Sequence, residues 1–278
     1  MKHRMTHYLL LMLGVVWGVG CTRPTDEVYL SKVVDLKGES KQTWELKYDD
    51  KGRLVKYGNT PIHYGSEKIT VGKMDWNFKG GGMYHADFYL ERGQVSRCKS
   101  VCLLELPSGR VEALKHTYFH YEKDTLYIDS DYYLPDRRLA QSLHAQYIYD
   151  KKNRLTEVIS VCKDEKGEES ACHSYYGYNT NIHYTSNLNL QAYIVDREGL
   201  DTFFFFLLNL GCKEPCGALP NHIRHCVNHG KATYVADGLY RLEGDVPVKA
   251  EVVSDQLELK ARFEFEHLNN EVLDLLTN

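Results

Sequence analysis

The sequence predicts a mainly all-β protein, in which successive hairpins form an antiparallel meander that makes a curled sheet or partial barrel. Three observations predict this fold. Several segments alternate apolar and polar residues, a turn phrase recurs along the chain, and there are 21 Tyr among the 278 residues. One-sided alternation is typical of antiparallel sheets, and tyrosine favours half-buried strands.

The clearest strand pattern is "LELKARFEFEH", residues 257–267. Its apolar residues share one face and its charged residues share the other, so the segment predicts a strand with one face in water. The apolar face would carry Leu257, Leu259, Ala261, Phe263 and Phe265. The segment "TWELKY" at 43–48 alternates in the same way, and similar short runs occur at 86–90, 101–106, 117–121 and 125–132.

The recurring phrase is "YDDKGRLVKY" at 48–57 and "YDKKNRLTEV" at 149–158. Its two adjacent carboxylates, Asp49 and Asp50, raise the question of an acid–base site. Gly52 in the first copy is replaced by Asn153 in the second, and these two residue types enter the left-handed backbone region most cheaply. The phrase therefore predicts a hairpin turn, with its carboxylates in solvent.

Helical spacing is scarce. The last segment, "LNNEVLDLLTN" at 268–278, places Val272, Leu273 and Leu276 on one stripe and predicts a short C-terminal helix. The apolar segment 200–210 is consistent with a buried helix or with a buried strand, because periodicity alone does not separate them.

The N-terminus indicates export. Residues 1–20 predict a signal peptide, because Lys2 and Arg4 precede an apolar run at 8–19 that is shorter than the roughly 20 residues of a membrane-spanning helix. Small residues precede Cys21, as at the lipidation site of bacterial lipoproteins, although Gly18 stands where leucine is preferred. Cleavage by ordinary signal peptidase after Gly20 is the alternative.

The predicted organisation follows from this start. Residues 21–27 form a lipidated cysteine and a tether, and residues 28–278 form a single β-rich domain. We expect an exported protein of the cell envelope, with a membrane as partner through the lipid anchor, at the outer membrane. The net charge of −4 gives no reason to expect a nucleic acid as partner.

The chain resembles a known group at this point. A lipidation-like start, hairpins headed by Tyr-Asp-x-x-Gly-Arg-Leu, the stretch "NTNIHYTSNLNL" at 179–190, and Gly211 followed by "ALP" at 218–220 are similar to exported Bacteroidetes lipoproteins of unknown function. That resemblance implies a soluble protein with a curled, porin-like antiparallel sheet over most of the mature chain. The turn phrases also resemble the YD repeats of large secreted shell-forming proteins. Neither resemblance implies a catalytic residue.

Eight cysteines suggest disulfides in an exported protein. Cys162 and Cys172 are equally far from Gly167, so a hairpin closed there would bring them opposite each other and within reach of a bridge. A second bridge would join Cys212 to Cys216, or one of these two to Cys226. The odd number of cysteines besides Cys21 leaves at least one thiol over.

A zinc site is the alternative use of the same cysteines. The segment 211–229 supplies Cys212, Cys216, His225 and Cys226, a mixed sulfur and nitrogen set that is sufficient for tetrahedral zinc. A zinc-dependent hydrolase centred there is the competing function, and Glu214 is the only acid within the cluster to serve as its base. We otherwise expect no cofactor.

Aromatic residues supply the candidates for ligand binding. Trp76, Tyr84 and Tyr89 flank or follow three consecutive glycines at 80–82, which predict a loop beside a tyrosine-bearing strand. The leading hypothesis is a non-enzymatic envelope lipoprotein that acts as a binding or structural module, with a glycan or an envelope protein as partner. No nucleophile elbow, phosphate loop or dinucleotide motif is present in the sequence.

Overall fold

The computed structural model describes residues 28–36, 41–74, 83–106, 109–178, 182, 184, 186–194, 199–211, 217–228, 232–254 and 259–269. Within these ranges the chain forms sixteen β-strands, one 3-10 helix and one α-helix. The strands are β1 Val28–Asp35, β2 Gln42–Tyr48, β3 Leu54–Tyr57, β4 Thr60–Tyr64, β5 Lys68–Val71, β6 Met83–Glu91, β7 Gln94–Leu106, β8 Gly109–Glu122, β9 Thr125–Tyr133, β10 Leu139–Tyr149, β11 Leu155–Asp164, β12 Glu169–Gly177, β13 His222–Val227, β14 Ala232–Glu243, β15 Val246–Ser254 and β16 Leu259–Asn269. The 3-10 helix is Leu190–Tyr193 and α1 is Leu200–Leu207.

The sixteen strands form a closed antiparallel barrel. Each strand pairs with its neighbours in the chain, which confirms the predicted meander, and β1 pairs with β16 from Val28 opposite Asn269 to Asp35 opposite Phe263. The sheet therefore closes completely, and the expected curled sheet or partial barrel is wrong on this point. Closure depends on the tilt and stagger accumulated over all strands, and a local residue pattern does not contain that information.

The recurring phrase is a hairpin turn, as predicted. Gly52 and Asn153 adopt positive φ angles of 72° and 57°. The Asp49 carboxylate accepts hydrogen bonds from the backbone N–H groups of Lys51 and Arg53 and from the Arg53 side chain. Partial burial would raise the pKa of Asp49, but these bonds outweigh it and hold the pKa below its usual range. The carboxylate is thus a constituent of the turn.

The strand faces also follow the predicted alternation. Trp44, Leu46 and Tyr48 of β2 are buried inside the barrel, and so are Phe263 and Phe265 of β16. The residues between them carry the charges of the outer wall. The core of the protein is therefore the barrel interior.

A helix between β12 and β13 lies in that interior. The ambiguous stretch at 200–210 is the helix α1, and its phenylalanines contact strands on different sides of the barrel, so α1 lies in the lumen. The contacts are Tyr57 of β3 with Phe203 and Phe204, Phe119 of β8 with Phe205 at a ring-centroid distance of 4.2 Å, and Tyr147 of β10 with Phe206. Phe203, Phe204 and Phe205 are fully buried.

An ion pair joins this helix to the barrel wall. The Lys115 ammonium of β8 donates to Asp201 Oδ1 of α1 at 2.9 Å, and Thr117 Oγ1 donates to Asp201 Oδ2 at 3.1 Å. The Lys115 and Asp201 side chains are only 2% and 3% exposed. Burial alone would lower the pKa of Lys115, but the charge of Asp201 outweighs it and raises the pKa above its usual range.

The predicted C-terminal helix at 268–278 cannot be compared with the structure over most of its length. Strand β16 continues to Asn269, which takes the first two residues of that segment, and residues 270–278 lie outside the described part of the chain. Within the described ranges, no helix is long and apolar enough to span a membrane.

Candidate binding surface

Several of the predicted site residues lie outside the described part of the chain. These are the lipidation candidate Cys21, the aromatic candidate Trp76, and the cysteines Cys212 and Cys216. Tyr84 belongs to β6, but its side chain is also outside the described part. Their predicted roles therefore stay predictions.

The Cys162–Cys172 pairing was predicted on a register that the structure does not have. The hairpin does turn at Gly167, but Cys162 lies opposite Ser170 and Cys172 lies opposite Ser160. The two cysteines are thus diagonal neighbours, whose β-carbons are typically about 7–8 Å apart, beyond the disulfide range. The strand pairing is centred on Lys166, one residue before Gly167, on which the predicted pairing was centred. Both cysteines are thiols in the structure.

Only two of the predicted zinc ligands, His225 and Cys226, lie in the described part of the chain. His225 and Cys226 are successive residues of β13, where His225 lies opposite Ser174 and Cys226 lies opposite His173. Successive side chains of a strand point to opposite faces, so these two are poorly placed to bind one ion. Among the residues that the structure describes, no three His, Cys, Asp or Glu side chains could hold a metal together. His225 instead bonds Ser174 through Nδ1 at 2.9 Å, and Cys226 is a buried thiol.

Tyr89 leads to a continuous row of side chains on the outer wall. The strand register places Tyr89 opposite Arg97, Arg97 opposite Tyr118, Tyr118 opposite Asp129, and Asp129 opposite His144. These five residues, here called the outer row, cross β6 to β10. Their strand neighbours point into the barrel, where most are buried, as Thr117 and Ile128 illustrate.

The outer row combines a cation, two aromatic rings, a carboxylate and an imidazole. The Arg97 guanidinium lies over the Tyr89 ring, 4.6 Å from its centroid. His144 Nδ1 is in hydrogen-bond contact with the Asp129 carboxylate. Tyr118 lies between these two pairs and is 52% exposed, which is high for a large hydrophobic side chain.

Further aromatic and polar groups flank the outer row. The ring centroids of Tyr127 and His144 are 6.2 Å apart, and Gln146 Nε2 lies 3.4 Å from His144 Nε2. On the other side, Lys99 lies opposite His116, and His116 lies opposite Asp131. Burial and the nearby charge of Lys99 lower the pKa of His116, which favours its neutral form.

A groove of about 500 Å³ adjoins the middle of the outer row, because its lining residue His116 is two residues before Tyr118 on β8. It lies over β7 to β9 and the turn that follows β9, and we call it the rim groove. Its floor includes Leu114, which is 41% exposed, and His116 and Tyr133 form one side with ring centroids 5.4 Å apart. The lining residues are Val101, Glu112, Ala113, Leu114, His116, Tyr133, Leu134, Pro135 and Arg137.

This surface has the chemistry of a binding site. Aromatic faces offer flat apolar contact, while carboxylate, amide and guanidinium groups beside them fix orientation through hydrogen bonds. Of the selected residues whose side chains the structure describes, Tyr89 is the one that belongs to it. The stretch "HTYFHY" at 116–121, with aromatic or imidazole groups at 116, 118 and 120 on the polar face of a strand, was the available signal.

Comparison with known proteins places the chain in a family. A family model described only as "-like" matches residues 30–265. The crystal structure of a porin-like protein from Bacteroides vulgatus is 38% identical, with a TM-score of 0.82, covering 86% of this chain and 98% of that one. A porin-like protein from Bacteroides uniformis, 14% identical with a TM-score of 0.54 and covering 86% and 96%, shares the fold. No curated protein matches significantly. The chain therefore belongs to a family of porin-like proteins of unknown function.

Proposed function

We propose that the protein is an exported, lipid-anchored barrel of the cell envelope whose outer wall binds a glycan. It would act as a binding module, with the outer row as the centre of its binding surface. The observation that carries the proposal is the alignment of the outer row across five strands, in which Tyr89 is half-buried and the other four are exposed: Arg97, Tyr118, Asp129 and His144.

The charge of the outer wall supports a position in water. Basic side chains are exposed on the outer face of strands around the barrel: Lys47 of β2, Lys99 of β7, Arg224 of β13 and Arg241 of β14. At the middle of a bilayer, each lysine or arginine on the lipid face of a barrel costs about 2–4 kcal/mol. A lipid tether at Cys21 would let such a barrel stand outside the bilayer.

The filled lumen supports binding over transport. In channel-forming barrels the interior is polar and holds water. Here the phenylalanines of α1 pack against aromatic side chains of the wall, and the buried pair Lys115–Asp201 attaches the helix to β8. A solute would have to displace this packing to pass through.

The groups of the outer row suit a sugar. Sugar rings present an apolar face that stacks on aromatic side chains, and their hydroxyls both donate and accept hydrogen bonds. Tyr118 supplies an exposed ring, Asp129 accepts, and Arg97 donates. A row that crosses five strands, each about 4.8 Å from the next, has room for several sugar units.

The proposal is tested with the full-length protein, purified in detergent and applied to an array of bacterial envelope polysaccharides and oligosaccharides. We expect binding to at least one glycan, and we expect Tyr118→Ala to weaken it about tenfold through lost stacking. Tyr175→Ala is the matched control, because Tyr175 is also an exposed tyrosine but lies on β12, away from the outer row.

The alternative outcomes are informative. If no polysaccharide binds, the outer wall is not a glycan site, and the protein acts as a structural module of the envelope. Equal loss in Tyr118→Ala and Tyr175→Ala, with both variants folded, would place the binding site elsewhere on the wall.

A further inference from the structure

The rim groove contains a backbone feature that packing does not require. Arg137 adopts a positive φ of 69° in the turn between β9 and β10. The same hydrogen-bonded turn closes three other hairpins, and there the left-handed position is taken by Gly52, Asn153 and Gly167. Arginine is less favourable than glycine at such a position because its Cβ approaches the backbone. Arg92 and Lys123 also have positive φ, so this conformation alone assigns no role, and the case for Arg137 depends on the groove that it lines.

The charge of Arg137 is also uncompensated within the described ranges. Its neighbour Arg138 bonds Asp136, and the equivalent turns pair Arg53 with Asp49 and Arg154 with Asp150. Arg137 has no ion pair or hydrogen bond of its guanidinium with any described residue. Arg137 lines the groove, and its guanidinium is the cation that an anionic ligand would meet there.

The rest of the groove is suited to a ring rather than to a small inorganic anion. Leu114, Pro135 and Tyr133 form apolar and aromatic walls, and a volume of about 500 Å³ is within the range of small-molecule sites. Glu112 lies on the lining as well and is a hydrogen-bond acceptor for hydroxyl groups. Apolar walls, one acceptor and one cation are complementary to a sugar ring that carries a carboxylate.

We propose that the rim groove binds a uronic-acid unit of the glycan, with the sugar carboxylate on the Arg137 guanidinium and the ring against Tyr133 and Leu114. This inference rests on the proposed function and gives it a ligand class, namely acidic polysaccharides. The outer row would then bind the units that follow along the same chain.

Calorimetric titration of the full-length protein with oligogalacturonate and with its methyl ester tests the inference. The two probes have the same ring and differ in the charge of the carboxyl group. We expect the ester to bind about tenfold more weakly, and we expect Arg137→Gly to weaken binding of the acid by a similar factor while leaving binding of the ester unchanged.

Arg137→Gly is suited to the test because glycine favours the left-handed position, so the variant should fold at least as well as the parent. Arg92→Gly is the matched control. Arg92 also has a positive φ, of 53°, and lies at the turn before β7, separated from the groove by the strand from Gln94 to Val101. It removes the same charge and the same strain, and it should leave both titrations unchanged.

The possible failures are distinguishable. If acid and ester bind equally, and Tyr118→Ala weakens both, then the wall binds glycans without reading the carboxylate, and only this inference is overturned. Equal losses in Arg137→Gly and Arg92→Gly would indicate a general charge effect and would also overturn it. If neither probe binds, the uronic-acid assignment is wrong. Binding of another glycan on the polysaccharide array would still support the proposed function.

Discussion

A Lys–Asp pair and a His–Asp pair in the same part of the barrel differ greatly in their exposure to water. Lys115 of β8 and Asp201 of α1 meet inside the barrel with side chains 2% and 3% exposed. His144 of β10 and Asp129 of β9 meet on the outer wall with side chains 47% and 54% exposed. Both pairs make direct hydrogen-bond contacts, so contact geometry alone does not distinguish their contributions to stability.

The difference teaches where each pair can act. In the interior a charge that loses its partner has no water to replace it, so the pair holds α1 against the wall. On the outer wall water solvates either partner, and the pair contributes little to stability. The outer groups are consequently available to bind a ligand, while the inner groups are committed to the fold.

The largest expected effect comes from breaking the inner pair on one side. Asp201→Ala leaves the Lys115 ammonium buried without its counter-charge, and we expect the free energy of unfolding to fall by about 3–5 kcal/mol in denaturant titrations. The double variant Lys115→Met/Asp201→Leu removes both charges and should recover most of this loss. A loss below about 1 kcal/mol in Asp201→Ala would mean that the interior is wetter than its burial indicates.

An intermediate effect concerns His267 of β16. Neither of its buried ring nitrogens has a hydrogen-bond partner among the residues that the structure describes, and burial lowers the pKa of His267 to about 4. Because the folded-state pKa is below the unfolded value of 6.5, its stabilising contribution is present above pH 6.5 and is lost as the pH falls towards 4. We expect protonation of this residue to lower the free energy of unfolding by about 2 kcal/mol as the pH falls from 7 to 5.

Unfolding titrations at the two pH values check this. His267→Gln and His267→Phe both remove the titrating group, so both should flatten the profile over this interval, whatever their stability at pH 7. A profile as steep as that of the parent protein in both variants would assign the pH dependence to other groups.

The smallest expected effect is on the outer pair. His144→Gln removes the imidazole and keeps a hydrogen-bond donor near Asp129, and we expect stability to change by less than about 0.5 kcal/mol at neutral pH. Thermal unfolding of this variant beside Asp201→Ala sharpens the contrast between the two faces. A loss comparable to that of the inner pair would show that the wall depends on His144 structurally.

Local structure was predictable from the sequence where one residue pattern determined it. The alternation at 43–48 and 257–267 located strands, and the exchange of Gly52 for Asn153 located two turns, because these features depend on nearest neighbours. Lysine is almost never fully buried without a partner, so the sequence gives no reason to expect Lys115 in the interior, yet it is buried. Its partner Asp201 is distant in the sequence, and no local pattern indicates that the two meet.

The site was less predictable than the fold. Tyr89 was selected as an aromatic residue beside a loop, but Arg97, Tyr118, Asp129 and His144 become its neighbours only through the register of five strands. A shift by one residue would send any of them to the other face. The predicted pairing of Cys162 with Cys172 failed for the same reason, because the observed register places the two cysteines diagonally across the strands.

Closure of the barrel through β1 and β16 affects how the chain must fold. Of the strands that the structure describes, β1 is made first, but one of its two partners, β16, is made last. Until then the open edges of β1 and β15 present unpaired backbone groups, which are prone to pair with other chains. Contacts of such long sequence separation form slowly. The barrel is thus expected to close only once β16 has been made, so none of the earlier strands can complete it.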